Sequence, residues 1–383
     1  MPLLDMTFGS SHIVRRKFYN DTIALSMSTS TTAAHRFIDI GVNLTDPVFR
    51  GQSGRFGSSS KHPDDTEAML KRSRAAGVRN MIVTGGSLKE SKEAVDLAKK
   101  YGLFATTGCH PTRSSEFERF REGPDAYLKA LDEAIQKGLK GPGRIVAVGE
   151  CGLDYDRLNR APAETQRKYF RVQLSLAKKH QLPLFLHSRA AHADFVQILR
   201  DEEFGENGGR AVGGRGGVVH SFTGKISELE ELVGMGFHFS VNGCSLKTEE
   251  NLKAAAAIPI DKLLLETDAP WCSMTGTHAS NAHLKSLPRP LSDVFFPASS
   301  RVFQEGKMLK GRNEPCVIGG VAWVIAQLKG VTLEEVTEAA WKNTLEVFAL
   351  EEPLEMVIPT VAKVVKPPPP PSMSLESFPA LGS

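Results

Sequence analysis

The stretch that decides the fold is RIVAVGECGLDY, residues 144–155. Small and branched apolar residues run into Gly149, and a carboxylate, Glu150, follows directly. This pattern predicts a strand that is buried on both faces and that ends in an acid at its C-terminal tip. Because burying an isolated carboxylate is costly, Glu150 needs a metal ion or a paired cation to compensate its charge.

Three further apolar runs end in the same way, each followed by a side chain of a type that commonly binds metal. These runs are PLFL before His187, GVV before His220, and LLL before the ETD triplet that ends in Asp268. Four runs of this kind predict that the ends of parallel strands converge on one site.

Strand and helix signals alternate between the chain's two tails, and eight strands can be placed. We therefore predict a (β/α)8 TIM barrel, followed by an excursion over 271–314 and two covering helices, Val317 to Leu328 and Thr332 to Phe348. A doubly wound sheet is the alternative. The candidate ligands after strands four, five, six and eight favour the barrel, because only closure brings such distant strand ends into one mouth.

The bulk composition bounds the class of protein. Of 383 residues, 41% are hydrophobic and 24% are charged, which is typical of a soluble globular protein. No apolar run approaches the ~20 residues of a membrane helix, so no membrane partner is expected. The net charge of +3 permits a polyanionic partner without requiring one.

Cysteine usage indicates a reducing compartment, the cytoplasm or the nucleus. The five cysteines are scattered and form no C-x-x-C pair, which argues against a disulfide scaffold or a structural zinc site. Cys109 and Cys151 each neighbour a candidate ligand on a strand. Since strand neighbours point to opposite faces, we expect both thiols to pack behind the site.

The two ends of the chain are predicted to lie outside the folded domain, which we place at 36–350. Residues 1–35 are Ser/Thr-rich with a basic cluster, so they are either a disordered extension or a mitochondrial transit peptide. Asp5 and Asp21 favour the extension, because transit peptides are poor in acids. Residues 351–383 form a Pro-rich tail, which we interpret as a solvated extension and not as a polyproline ligand.

Each candidate also has an ordinary structural interpretation. A single buried histidine is more often hydrogen-bonded structure, a buried Glu150 is more often half of a salt bridge, and Asp268 is able to cap the turn before Pro270. Their equivalent positions in successive strand–helix units favour a joint site, because that is where barrel active sites lie.

The motifs around these residues resemble those of the TatD family of metal-dependent deoxyribonucleases, within the amidohydrolase-like barrels. They are GECGLD at 149–154, LHSR at 186–189, VHSF at 219–222 and ETDAPW at 266–271, with DIGVNLTDP at 39–47 and GCHPTR at 108–113. The match runs from about Phe37 to Phe348. NGCSLK at 242–247 and RNEP at 312–315 resemble the eukaryotic branch most.

The resemblance implies DNA hydrolysis with two divalent metal ions. Glu150 would bridge the ions, His187 and His220 would bind one, and Asp268 would bind the other and accept the proton of the attacking water. His110 would touch a substrate phosphate or tune the bound water, which makes Glu150, Asp268 and His110 the catalytic set.

One departure from the family pattern concerns the first strand. Many relatives carry H-x-H there, whereas this chain has Gly41 and Asn43. The resemblance therefore implies weaker binding of the metal beside Asp268, with Asp39 and Asn43 supplying oxygen or holding water. The oxygen-rich set of ligands suits Mg²⁺ or Mn²⁺, and the two histidines leave Zn²⁺ as an alternative ion.

Cationic and aromatic residues after the motifs are candidates for substrate contacts. The phosphate candidates are Arg113, Arg157 and Arg189, the base-stacking candidates are Tyr155 and Trp271, and the candidates for a DNA track are Lys307, Lys310 and Arg312. Surface salt bridging is an equal interpretation of the arginines. Core packing is slightly favoured for Trp271, and a solvated face for the last group.

The resemblance implies 3′→5′ exonuclease action on single-stranded DNA or duplex ends, in DNA repair or in DNA fragmentation during cell death. Endonuclease activity, RNA cleavage and oligomeric state stay open. A small-molecule amidohydrolase or lactonase is less favoured, since strand four carries Glu150 instead of a lysine and H-x-H is missing. A non-catalytic adaptor is disfavoured because every expected ligand on strands four to eight is present.

Overall fold

The computed structural model describes residues 35–52, 62–352 and 354–358. The predicted N-terminal extension up to residue 34 and the Pro-rich tail from residue 359 onward lie outside the described residues. The targeting alternatives for 1–35 and the domain boundaries therefore stay predictions.

Eight parallel strands form one sheet whose order in space follows the chain. They are β1 Phe37–Val42, β2 Val78–Val83, β3 Phe104–Thr107, β4 Ile145–Asp154, β5 Leu184–Arg189, β6 Gly217–Val219, β7 His238–Val241 and β8 Leu263–Leu265. The backbone N–H of Asp268 donates to Gly41 O at 2.9 Å, and that of Asn43 to Ala269 O at 2.8 Å, so the ends of β8 and β1 meet. The (β/α)8 barrel is confirmed, and a doubly wound sheet is excluded because its strand order would not be sequential.

Helices lie between the strands and after the last one. They are α1 Thr66–Ala75, α2 Leu88–Tyr101, α3 Glu116–Arg119, α4 Pro124–Gly138, α5 Ala163–His180, α6 His192–Asp201, α7 Ile226–Gly234, α8 Glu249–Ala257, α9 Asn281–Leu284, α10 Arg289–Phe295, α11 Ile318–Lys329 and α12 Leu333–Phe348. Helix α2 has the capping residues that the sequence indicates. The Ser87 hydroxyl accepts from the backbone N–H of Glu90 at the start of the helix, and Gly102 ends it at φ 64°. No single described helix is long and apolar enough to cross a membrane; α11 and α12 meet that criterion only as a pair bent by 112°.

The inside of the barrel is filled by apolar side chains, which come from several strands. On β1, Ile38 and Ile40 belong to this inner cluster, whereas Phe37 packs edge-on against Phe295 of α10 on the outside. Three side chains of α12 and two from the segment that follows it join the inner cluster. Asn343 of α12 also donates to the carbonyls of Ile260 and Leu263 at the start of β8. Helix α12 therefore covers the N-terminal end of the barrel and leaves the opposite end for the site.

The excursion after β8 contains α9, α10 and a two-stranded parallel sheet, β9 Ser299–Ser300 and β10 Met308–Leu309. The DNA-track prediction is wrong for Arg312, which is 2% exposed. Its guanidinium donates to both oxygens of Asp65 at 2.7 and 2.6 Å and to Glu314 at 2.7 Å. Two buried carboxylates near one arginine hold it in the interior, where an unpaired charge would be costly.

The packed chain continues past α12. Leu354 and Met356 are buried, and the backbone N–H of Met356 donates to Arg79 O at 2.9 Å. Val357 N–H donates to Tyr101 O at 2.8 Å. These contacts attach the segment to the β2 and α2 side of the barrel.

Candidate metal centre and active site

Glycines within β4 and directly after β3 set the position of Glu150, which lies inside β4 and not at its last residue as predicted. Gly149 has φ 139°, and a side chain there would start 2.1 Å from Phe185 O on the neighbouring strand. A side chain at Gly108 would in turn meet the Gly149 backbone at 2.6 Å. Only glycine permits this close approach, which places Glu150 among the C-terminal ends of β3, β4 and β5.

Three predicted ligand atoms converge on one point there. The Glu150 Oε1 atom lies 2.8 Å from His187 Nδ1 and 2.7 Å from His220 Nε2, and the two ring nitrogens are 3.3 Å apart. Ligand atoms about 2.1 Å from one ion lie roughly 3.0–3.4 Å from each other, close to these separations. The donor set and its spacing therefore fit a divalent metal ion.

Each of these histidines turns its other ring nitrogen toward a second carboxylate. His187 Nε2 lies 3.5 Å from Asp154 Oδ2, and His220 Nδ1 lies 3.4 Å from Glu266 Oε1. Such carboxylates commonly orient metal-binding imidazoles and fix their tautomer. The sequence interpretation missed both roles, although Asp154 and Glu266 stand inside the GECGLD and ETDAPW motifs. The signal for Asp154 was strand spacing, since residues i and i+4 share a face.

The charges of the cluster depend on one another. Burial acts to raise the pKa of Glu150, but the charge of His220, with hydrogen bonds from His110 and His187, holds that pKa well below its usual range. Burial acts to lower the pKa of His220, and the carboxylates of Glu150 and Glu266 raise it well above its usual range. The carboxylate at the centre is therefore stabilised by positive charge, as the sequence requires of a buried Glu150.

His110 lines the same cavity and faces Glu150 with a proton. Its Nδ1 atom accepts from the backbone N–H of Thr112 at 3.1 Å, so the neutral ring carries its proton on Nε2. That Nε2 lies 3.3 Å from Glu150 Oε1. A ring nitrogen that carries a proton has no lone pair for a metal, so this arrangement suits a hydrogen-bond donor, as the resemblance implies.

Asp268 lines the cavity but stands apart from the three-ligand cluster. Among the described residues, two groups of three His, Cys, Asp or Glu side chains bring their ligand atoms close enough to hold one metal ion, and Asp268 belongs to neither group. Its Oδ1 accepts from Asn43 Nδ2 at 2.7 Å, and its Oδ2 accepts from Cys272 Sγ at 3.2 Å. Burial, together with the nearby Glu266 and Glu150 and against the charge of His220, raises the pKa of Asp268 to about 6.

The two positions where the family resemblance implies H-x-H, Gly41 and Asn43, have a structural explanation in this chain. A side chain at Gly41 would start 2.7 Å from Glu266 Oε2, so Glu266 occupies the space that an imidazole would need. Asn43 lines the cavity and donates to Asp268, and its predicted support of a metal ion or a water stays a prediction. Asp39 does not line the cavity: both of its oxygens accept from Thr267, at 3.0 and 2.5 Å, and the side chain is fully buried. Asp39 therefore does not offer an oxygen to the cavity, contrary to the prediction from the sequence.

The cavity around these groups has a volume of about 880 Å³. Its lining includes the predicted substrate residues Arg113, Arg157, Arg189 and Trp271, and it adds Arg160, which the sequence interpretation did not select. Arg113 is already paired with Glu90 and Glu116, whereas Arg157 and Arg189 make no ion pair within the described ranges.

Tyr155 is not part of the cavity lining. Its hydroxyl bonds to Asp194, and Arg167 bonds to both groups on the outer side of the barrel. The base-stacking prediction for Tyr155 is therefore not supported by its position. Cys109 and Cys151 are fully buried, as predicted, and lie outside the lining.

Comparison with known proteins agrees with this geometry. The family model described as TatD related DNase matches residues 38–349. The protein named deoxyribonuclease Tat-D of Schizosaccharomyces pombe is 46% identical over 318 residues, which are 82% of this chain and 96% of that protein. The protein named 3′-5′ ssDNA/RNA exonuclease TatD of Cronobacter sakazakii is 35% identical over 79% of this chain and 94% of its own length.

A solved structure matches as well. The TatD family hydrolase of Entamoeba histolytica superposes with a TM-score of 0.71 at 31% identity, over 82% of this chain and 98% of that one. The family match spans nearly the whole barrel, and the motifs that carry the resemblance meet at one end of it. The chain therefore belongs to the TatD family of deoxyribonuclease-related proteins.

Proposed function

We propose that this protein is a metal-dependent deoxyribonuclease that removes nucleotides from the 3′ end of DNA. The observation that carries the proposal is the convergence of Glu150, His187 and His220 in a cavity that also contains Asp268 and several arginines. The proposal is supported by relatives named as a deoxyribonuclease and as a 3′-5′ exonuclease on single-stranded DNA and RNA.

The donor set indicates which residues would hold the metal ions. Glu150, His187 and His220 would hold one ion, and Asp268 with Asn43 would hold a second that shares Glu150. When bound, divalent ions supply positive charge that offsets the phosphodiester and lowers the pKa of water. Because oxygen ligands dominate the second set, we propose Mg²⁺ or Mn²⁺, with Zn²⁺ as the competing ion.

Side chains of the cavity would accept the proton and bind the substrate. Asp268 would accept the proton of the attacking water, since its carboxylate lines the cavity and Asn43 fixes one oxygen. His110 would donate its Nε2 proton in a hydrogen bond to a phosphate oxygen. Arg157 and Arg189 would bind neighbouring phosphates, and Trp271 would stack on a base.

A metal titration with end-labelled DNA tests the proposal. Single-stranded DNA labelled at its 5′ end should give a ladder that shortens from the 3′ end, and a blocked 3′ terminus should prevent it. Glu150→Ala should remove the activity, whereas Glu164→Ala, at an exposed position on α5, should keep it. Hydrolysis of small esters or amides without any DNA cleavage would contradict the proposal and support the small-molecule alternative.

We also infer a cellular role in DNA repair or in DNA fragmentation during cell death, in the cytoplasm or the nucleus. This part is supported by the motif resemblance and by the cysteine usage. Cells in which Glu150→Ala replaces the normal chain should retain more unprocessed 3′ ends after DNA damage. A fluorescent fusion that enters mitochondria would instead identify residues 1–35 as a transit peptide.

A further inference from the structure

Two cysteines from different loops meet at the wall of the cavity. Cys244 begins the short helix Cys244–Leu246 after β7, and Cys272 follows the ETDAPW motif after β8. Their sulfur atoms are 2.6 Å apart, and both residues are partly exposed and line the cavity that holds Asp268. Two adjacent thiols that solvent can reach are a potential site of oxidation.

The surrounding backbone holds the thiols together. A side chain at Gly243 would start 1.9 Å from Cys272 O, so only glycine lets the two loops approach this closely. Cys244 N–H donates to Asn242 Oδ1 at 2.8 Å, which fixes the first loop. Asn313 Nδ2 donates to Trp271 O at 2.7 Å and fixes the second. The contact between the thiols is therefore set by the fold and does not depend on mobile side chains.

The pair is connected directly to the candidate active site. Cys272 Sγ donates to Asp268 Oδ2 at 3.2 Å, while Asn43 donates to the other oxygen of the same carboxylate. Any change that consumes the Cys272 proton removes one of the two donors that hold Asp268. Chemistry at the sulfur atoms would therefore reach the carboxylate that we propose as a proton acceptor.

We propose that Cys244 and Cys272 form a reversible disulfide when the protein meets a hydroperoxide, and that this disulfide lowers the nuclease rate. The effect on rate rests on the proposed function, whereas the disulfide itself does not. One thiol attacks the peroxide oxygen and becomes a sulfenic acid, with release of water from hydrogen peroxide. The second thiol then attacks that sulfur, the S–S bond forms and a second water leaves. The peroxide gains the two electrons that the two thiols lose.

The other three cysteines serve as an internal control. Cys109, Cys151 and Cys316 are each 0% exposed, and none of them has another cysteine sulfur as a hydrogen-bond partner in the described part of the chain. They share the chain, the preparation and the oxidant with the pair. Selective reaction at Cys244 and Cys272 would thus reflect their position and not general sensitivity to peroxide.

Peptide mapping after peroxide treatment tests the disulfide without reference to activity. The metal-loaded full chain is treated with hydrogen peroxide, alkylated after unfolding and digested. We expect a peptide pair linked through Cys244 and Cys272, a mass loss of about 2 Da, and alkylation of the other three cysteines. Separate sulfinic or sulfonic acids, or a mixture of linkages among all five cysteines, would overturn the proposal.

A second experiment measures the consequence for catalysis. The rate of DNA cleavage should fall about tenfold on oxidation and return with dithiothreitol, because a lost hydrogen bond to a carboxylate has an effect of that size. In Cys244→Ser the ratio of reduced to oxidised rates should be close to one, while Cys316→Ala should behave as the unmodified chain. A linked peptide without a change in rate would overturn the regulatory part alone. No nuclease activity in any sample, together with the linked peptide, would contradict only the proposed function.

Discussion

The two sides of the barrel mouth are built differently, although both carry a predicted metal ligand. On the β4–β6 side, three ligand atoms lie within 3.3 Å of one another, and each imidazole faces a second carboxylate. On the β8–β1 side, Asp268 has an amide and a thiol as its neighbours. The β4–β6 side thus has a complete set of ligands and the β8–β1 side an incomplete one. We therefore expect the ion on the β8–β1 side to bind with lower affinity.

Glu266 links the two sides and explains the asymmetry. Its carboxylate accepts from Ser240 at 2.9 Å and from Asn242 at 2.8 Å, and it faces His220 Nδ1. The same carboxylate fills the space beside Gly41, where the family resemblance implies the first imidazole of H-x-H. The residue that supports His220 on one side therefore excludes a histidine on the other.

The largest effect is expected from Glu150→Gln, because this residue serves both sides. The change keeps the size of the side chain and removes the negative charge at the centre of the cluster. DNA cleavage should fall by about 10³-fold, the upper end of the range of roughly 10²–10³-fold that loss of one charge-stabilising group costs. Elemental analysis should show both metals lost, while the circular dichroism spectrum stays unchanged. Retention of two metals per chain would break the assignment of Glu150 as the shared ligand.

Metal removal should separate the two sides. During dialysis against increasing chelator, one equivalent should leave first, from the side with fewer ligands. Asp268→Asn should mimic that state, with one metal per chain and cleavage lower by about a hundredfold or more, because a proton acceptor is also lost. His187→Ala provides the comparison, since it should release the tightly held ion. Simultaneous loss of both ions in the unmodified chain would show that the sides are equivalent.

The sequence predicted the complete side better than the incomplete one. Glu150, His187 and His220 each follow an apolar run of a parallel strand, so their position follows from strand direction and barrel closure. Asp268 follows the same rule, but its neighbours come from β1 and from the loop after β8. The contact between Cys244 and Cys272 depends on two loop conformations, one of which requires Gly243, and no periodicity in the sequence encodes it.

Two other residues show why patterns near the motifs are less reliable. Asp39 lies in a matching motif, yet Thr267 engages both of its oxygens. Arg312 stands in a basic run that resembles a solvated track, yet Asp65, which is 247 residues away, pairs with it in the interior. Both outcomes depend on long-range partners, and a single sequence read by local pattern does not reveal those partners.

A smaller effect is expected from the carboxylate behind His187. Asp154→Asn keeps a group able to accept from the backbone of Asp156 but removes the charge that faces His187 Nε2. Because such outer carboxylates are worth roughly 10–100-fold in metal affinity, the tight ion should bind about tenfold more weakly. Isothermal titration with Mn²⁺ measures this directly. Asp156→Asn, at an exposed neighbouring position, is the matched control. Equal affinities in the two variants would show that Asp154 does not support the ligand.

The smallest effect should come from adding back one imidazole on the incomplete side. Asn43→His places a nitrogen ligand beside Asp268 in a cavity with room for it, so the second ion should bind a few-fold more tightly. The gain is limited because the new side chain also removes the amide that holds Asp268 Oδ1 at 2.7 Å. Titration of the chelator-treated protein with Mn²⁺ resolves the weak step. Gly41→Ala should lack this benefit and lower the melting temperature instead, since its methyl group would meet Glu266 at 2.7 Å. Tighter Mn²⁺ binding in Gly41→Ala, or no gain in Mn²⁺ affinity in Asn43→His, would contradict this explanation. The space taken by Glu266 would then not account for the absence of histidines at positions 41 and 43.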